Sequence, residues 1–128
     1  MTKMSRDKGA AFERRCCKIM ESVVFPEYPH WKRTRGGERQ WLGDIQPCHA
    51  DGEPRAMQVP IMVECKKRKV IIQSEFKQWI KKLNEECKGK PWILMYAQDN
   101  GPVHILCEGF VLEGEGLQSH IYLTFHRG

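Results

Sequence analysis

Met62-Val63-Glu64-Cys65-Lys66 places a carboxylate and an amine two residues apart at the end of a short apolar run. Strand side chains alternate, so Glu64 and Lys66 are expected on one face while Val63 and Cys65 enter the core. Upstream, Gly43-Asp44-Ile45 supplies a second carboxylate at the start of another expected strand. The segment between them is long enough for the two strands to pair as a hairpin. Two hard oxygen ligands would then converge, a set suited to a divalent cation. The neighbouring ammonium could orient an attacking water or neutralise charge developing on a phosphate. That is the chemistry of phosphodiester hydrolysis. Alone, Glu-x-Lys is a weak signal, because charges alternate on the solvated face of many strands.

The preceding segment gives the motif its context. From Ser5 to about Ser22 the chain reads as a helix, with Phe12, Cys16, Ile19, Met20 and Val23 at the spacing of one buried stripe. Ser5 is the expected N-cap. Glu13 borders the stripe, since Cys17, Met20 and Val24 continue its row at three- and four-residue steps. It can face a site at the edge of the core, or remain a solvated charge beside Arg14 and Arg15.

Glu13, Asp44, Glu64 and Lys66, in this order, resemble the motif of the PD-(D/E)XK nuclease superfamily. The similarity is to its archaeal-type Holliday junction resolvases and to small phage endonucleases, and it covers Ser5 to about Cys87. No Pro precedes Asp44, a departure from the superfamily's name motif. The resemblance implies a restriction-endonuclease-like core, α/β or α+β, with a central mixed β-sheet flanked by helices. It further implies a Mg2+-dependent endodeoxyribonuclease, with Mn2+ as a substitute. Asp44, Glu64 and the Cys65 carbonyl would hold the metal, Glu13 would complete the site directly or through water, and Lys66 would position the nucleophile. Resolvases of this kind act as homodimers on branched DNA, so a four-way junction and a second copy of the chain are the expected partners. Alternatives are a nicking, restriction-like or single-strand nuclease of the same fold, or a nucleic-acid-binding module without catalysis.

Length and composition fit this reading without establishing it. The 128 residues suit a single domain, 1–128, with one core. A 41% hydrophobic and 29% charged composition is that of a globular protein rather than a disordered one. No apolar run approaches membrane-spanning length and the N-terminus lacks a signal-peptide segment, so a cytoplasmic location is expected, in the host cytoplasm if the chain is of phage origin. The six cysteines lack Cys-x-x-Cys spacing and read as reduced thiols filling core volume. The formal charge of +5 permits a polyanionic partner.

Basic residues cluster around the candidate carboxylates. His30 to Leu42 reads as a loop with Arg33 and Arg35, two glycines and two tryptophans, able to approach a phosphate backbone. Lys67, Arg68 and Lys69 extend the run beyond Lys66. Asp51 and Glu53 fall at the tip of a turn joining strands near Asp44 to Cys48 and Met57 to Lys66, where they serve solubility. Ser74 is the expected N-cap of a second helix burying Phe76, Trp79, Ile80, Leu83 and Cys87. Lys77, Lys81 and Lys88 form its outer row, with Lys77 and Lys81 as candidate DNA contacts, and Gln78 lies between the two faces. Trp92 to Ala97 is apolar enough for a central strand, followed by a turn at Gln98 to Pro102 and strands at Val103–Cys107 and His120–His126. His104, His120 and His126 read as strand-surface residues. Glu113 to Gly116 reads as a loop. The element order implies an α/β or α+β core with a mixed sheet.

Overall fold

The structure is a computed structural model that describes residues 3–35, 43–108 and 120–125, with side chains for 9–35 and 43–107. Its described elements are α1 (Lys3–Ile19), β1 (Trp31–Arg33), β2 (Ile45–Pro47), β3 (Met62–Arg68), α2 (Gln73–Glu86), β4 (Trp92–Gln98), β5 (Val103–Glu108) and β6 (His120–Phe125). The fold is therefore mixed α+β. Much of the basic loop, Gly36 to Leu42, lies outside the described residues, as do Glu113 to Gly116 and His126.

Four strands form the main sheet in the order β3-β4-β5-β6. β3 and β4 run parallel, with Glu64 opposite Leu94 and Lys66 opposite Tyr96, whereas β4–β5 and β5–β6 are antiparallel. A parallel neighbour requires a crossover, which α2 supplies. β4 is the interior strand that its apolar sequence predicts: Trp92 and Leu94 pack on the α2 side, while Ile93, Met95 and Ala97 pack on the α1 side. Burial on both faces explains why its sequence does not alternate.

The two helices cover opposite faces. α1 places Phe12, Cys16 and Cys17, and the turn that follows it places Met20, against Val63, Cys65, Ile93 and Met95. α2 places Trp79, Leu83 and Cys87 against Met62, Trp92, Leu94 and Leu106. The Trp92 indole N–H, otherwise stranded in this layer, donates to Asn84 Oδ1 at 2.9 Å. None of the six cysteines forms a disulfide, and all are buried.

Several local expectations are corrected. α1 begins at Lys3, so Ser5 lies inside the helix rather than capping it. Past Ile19 the helix widens into a π-turn, Met20–Val24, closed by the Phe25 N–H donating to Met20 O at 2.9 Å. This keeps Glu21 close to β1, where its Oε2 accepts the Trp31 N–H at 2.7 Å. α2 begins after Ile72, whose backbone is extended, so Ser74 falls in the first turn and is not the cap. Its end agrees with the sequence: Lys88 and Gly89 have φ of 52° and 82°, and the left-handed pair breaks the helix.

The larger correction concerns β2 and β3. Trp31–Arg33, expected as part of a loop, is a strand, and β2 pairs antiparallel with it, Trp31 opposite Pro47 and Arg33 opposite Ile45. β3 begins at Met62 rather than Met57, and among the described residues no antiparallel hairpin joins it to β2. The link is a single parallel bridge between Gly43 and Val63, in which the Asp44 N–H donates to Val63 O at 2.7 Å. Gly43 makes this approach possible. Its φ is +91°, and a Cβ there would sit 2.1 Å from Val63 O. An L-residue is excluded both by the backbone conformation and by the space.

Candidate active site

The approach at Gly43 sets Asp44 against the edge of β3. Its Oδ2 accepts the Cys65 N–H at 2.8 Å, satisfying a backbone donor that no neighbouring strand takes up among the described residues. The Glu64 carboxyl lies within hydrogen-bond reach of Asp44. Alternation along β3 behaves as the sequence predicts: Val63 and Cys65 join the α1-side core, while Glu64 and Lys66 face α2. There they line a recess of about 50 Å3 with Trp79, Lys82, Leu83 and Glu86.

The electrostatics follow from this crowding. Glu64 is pushed from an ordinary 4.5 to about 8, first by burial and then by the Asp44 carboxylate, with a smaller push from Glu86 and an opposing pull from Lys66. At neutral pH Glu64 therefore holds a proton and donates it toward Asp44. Two carboxylates pressed together cannot both be charged without a counter-charge. A divalent cation between them would take the place of that proton. Burial raises the Cys65 thiol well above its usual range, followed by a hydrogen bond with Cys16 and by the charges of Asp44 and Glu13. Cys65 thus contributes backbone groups to the site and a non-ionised side chain to the core.

Asp44, Glu64, Lys66 and the Cys65 backbone are brought together. Glu13 is held on the α1 side, where Arg33 Nε donates to its Oε1 at 2.6 Å. Among the described residues, no cluster of three or more Asp, Glu, His or Cys side chains has the arrangement of a metal site. Two carboxylates nonetheless suit Mg2+, which usually keeps several waters and takes one or two protein carboxylates plus substrate oxygens.

The candidate DNA contacts divide. Arg35, Lys69, Lys77 and Lys81 are exposed and Lys67 is half-buried. Arg68 is tied to α2, with Nε donating to Glu75 Oε2 at 3.2 Å and its guanidinium 5.3 Å from the Trp79 ring centroid. Gln78 is exposed on α2, and Asp51 and Glu53 are exposed at the turn beyond Cys48. His104 stacks on Tyr96 with ring centroids 5.1 Å apart. Lys82 and Glu86 are site neighbours that the sequence reading does not single out. The available signal is their four-residue spacing along the Trp79–Leu83 flank of α2.

Comparison with known proteins brings no relative to the argument: no family model, no curated protein and no solved structure matches the chain. Among the described residues, no helix is long and apolar enough to cross a membrane.

Proposed function

We propose that this chain is a metal-dependent DNA endonuclease with a PD-(D/E)XK, restriction-endonuclease-like core, acting as a Holliday junction resolvase on branched DNA. One observation carries the reading. Asp44 and Glu64, from separate segments, meet at a sheet edge with enough mutual repulsion and burial to raise Glu64 to about 8, and Lys66 follows on the same face of β3. Burying two carboxylates against each other costs stability unless a proton or a cation offsets their repulsion, and a cation site accounts for that cost.

Asp44 and Glu64 would hold Mg2+ or Mn2+, with the Cys65 carbonyl as a third oxygen donor. When bound, the cation supplies charge neutralisation for a phosphate oxygen and lowers the pKa of a water. Asp44 stays anchored through the Cys65 N–H, which fixes its orientation before substrate arrives. Glu64 must give up its proton for the site to load, and Lys66 favours the ionised form. The Lys66 ammonium then lies on the same face, where it can orient the attacking water or balance charge on the phosphate. Glu13 would take part only after leaving Arg33. A homodimer would supply two such sites for paired cuts across a junction.

The test is incubation of purified protein with labelled four-way junctions, flaps and duplexes, in Mg2+ or in EDTA. Junction cleavage that requires Mg2+ is expected. Metal-independent cleavage, or none with any branched or linear DNA, would overturn the proposal.

A further inference from the structure

Away from the carboxylate pair, α1 and β1 enclose an open groove of about 680 Å3. Arg14 and Lys18 line it from α1, and Lys32, Arg33, Thr34 and Arg35 from the other wall. Five of these six carry positive charge. Among the described residues one acidic side chain, Glu21, shares the lining, and its Oε2 accepts the Trp31 N–H. Arg14 and Lys18 are four residues apart, hence stacked on one helix face, and like charges at this spacing oppose the helix. Lys18 also suits the negative end of α1, in whose last turn it lies, whereas Arg14 stands a full turn earlier.

Polar features of the groove point the same way. Thr34 Oγ1 is buried and has no hydrogen-bond partner among the described residues, while the Thr34 N–H donates to Asp44 O at 2.9 Å. The groove wall is therefore hydrogen-bonded to the backbone of the residue that carries the candidate catalytic carboxylate. The Trp31 indole N–H is taken by Tyr28 O at 3.0 Å and Arg33 is paired with Glu13, so Arg14, Lys18 and the Thr34 hydroxyl are the groups the groove offers most directly to a ligand. The volume exceeds what a lone inorganic anion would fill and falls in the range of sites that enclose larger molecules. Charge on both walls suits a ligand with repeated anionic groups.

We infer that this groove is a backbone-binding track for a nucleic acid strand, receiving phosphodiesters that flank the bond presented to Asp44 and Glu64. The class of ligand rests on the nuclease reading; the location and charge of the groove do not. The track grips phosphates through Arg14 and Lys18, and it carries no base information.

Fluorescence anisotropy in EDTA, with a mixed-sequence duplex and a single strand as probes, tests this across about 50–200 mM salt. Arg14→Ala/Lys18→Ala removes two phosphate contacts, so the slope of log K against log salt should flatten by about 1.8 on duplex or 1.4 on a single strand. The arm that changes identifies the form of strand that occupies the groove. Lys88→Ala/Lys90→Ala, an equal change of net charge elsewhere, should leave the slope intact. Alanine favours the helix, and Lys18→Glu alone provides a second variant with the same sign of effect. Equal slopes for the groove and control variants on both probes would overturn the track. Mg2+-dependent cleavage with such equal slopes would reject the groove alone. A flattened slope without cleavage of any DNA would support the groove and reject the nuclease reading.

Discussion

Replacing Glu64 by glutamine should make the metal-free protein more stable and do so in a pH-dependent way. Glu64 is raised from 4.5 to about 8 by burial and Asp44. Below pH 4.5 the carboxyl is protonated in folded and unfolded chains alike, and it contributes no penalty. Between 4.5 and 8 the unfolded chain releases this proton while the folded chain keeps it, so stability falls by about 1.4 kcal/mol per pH unit. Above pH 8 both forms are ionised and the loss levels off. The accumulated cost is about 3 kcal/mol at pH 7 and about 5 kcal/mol at pH 9. A glutamine amide in this place keeps the shape and the donor toward Asp44 but cannot ionise. Glu64→Gln should therefore match the wild type near pH 4 and exceed it by about these amounts at higher pH. At pH 7 this is a rise in Tm of about 10 °C. Urea unfolding in EDTA, followed by tryptophan fluorescence from about pH 4 to 9, measures the difference directly, with the titrating groups remote from the pair cancelling between the two proteins. Stability profiles that run parallel would refute the crowded-carboxylate account. Mg2+ should then stabilise the wild type at pH 7 more than the variant, because on the proposed reading it would bind the folded state through the group the variant lacks.

Three further changes probe the same centre. Asp44→Asn should abolish Mg2+-dependent junction cleavage while retaining the fold, since the amide oxygen can still accept the Cys65 N–H; wild-type turnover in this variant would remove Asp44 from the site. Lys66→Ala should slow metal-saturated cleavage by about 100-fold or more while DNA affinity changes little, as is typical when a charge-stabilising group is lost, and unchanged single-turnover rates would contradict that role. Gly43→Ala should destabilise the fold by at least about 1–3 kcal/mol, because the new Cβ meets Val63 O in a backbone conformation that alanine resists. Urea unfolding checks it, and wild-type stability would show that the Gly43–Val63 approach is not what holds Asp44 in place.

The site is legible in the sequence where it depends on local periodicity. Alternation through Met62 to Lys66 is enough to separate Glu64 and Lys66 from Val63 and Cys65, and the uninterrupted apolar run of Trp92 to Ala97 identifies the interior strand. Features that depend on distant partners are not legible. Trp31-Lys32-Arg33 has no alternating apolar pattern and becomes a strand through pairing with β2 and the Glu21 contact. The direction in which Asp44 meets β3 is set by the left-handed Gly43 and a long connection, neither of which distinguishes a parallel bridge from a hairpin in advance. Glu13 shows the same limit. Its place on the helix is readable, but Arg33, twenty residues away, decides what its carboxylate does.

The buried cysteines give the folded protein an uncommon chemical silence. Burial pushes Cys17 and Cys107 up to about 12 and raises Cys65 well above the usual thiol range, so the reactive thiolate is scarce at neutral pH even before access is considered. Alkylation by iodoacetamide therefore has to wait for the chain to open. Because Cys16, Cys17, Cys65 and Cys107 sit in the α1 layer and Cys87 sits in the α2 layer, each thiol acts as a clock for its own side of the sheet. Mass-resolved labelling rates distinguish a protein that opens one layer at a time from one whose two cores come apart together.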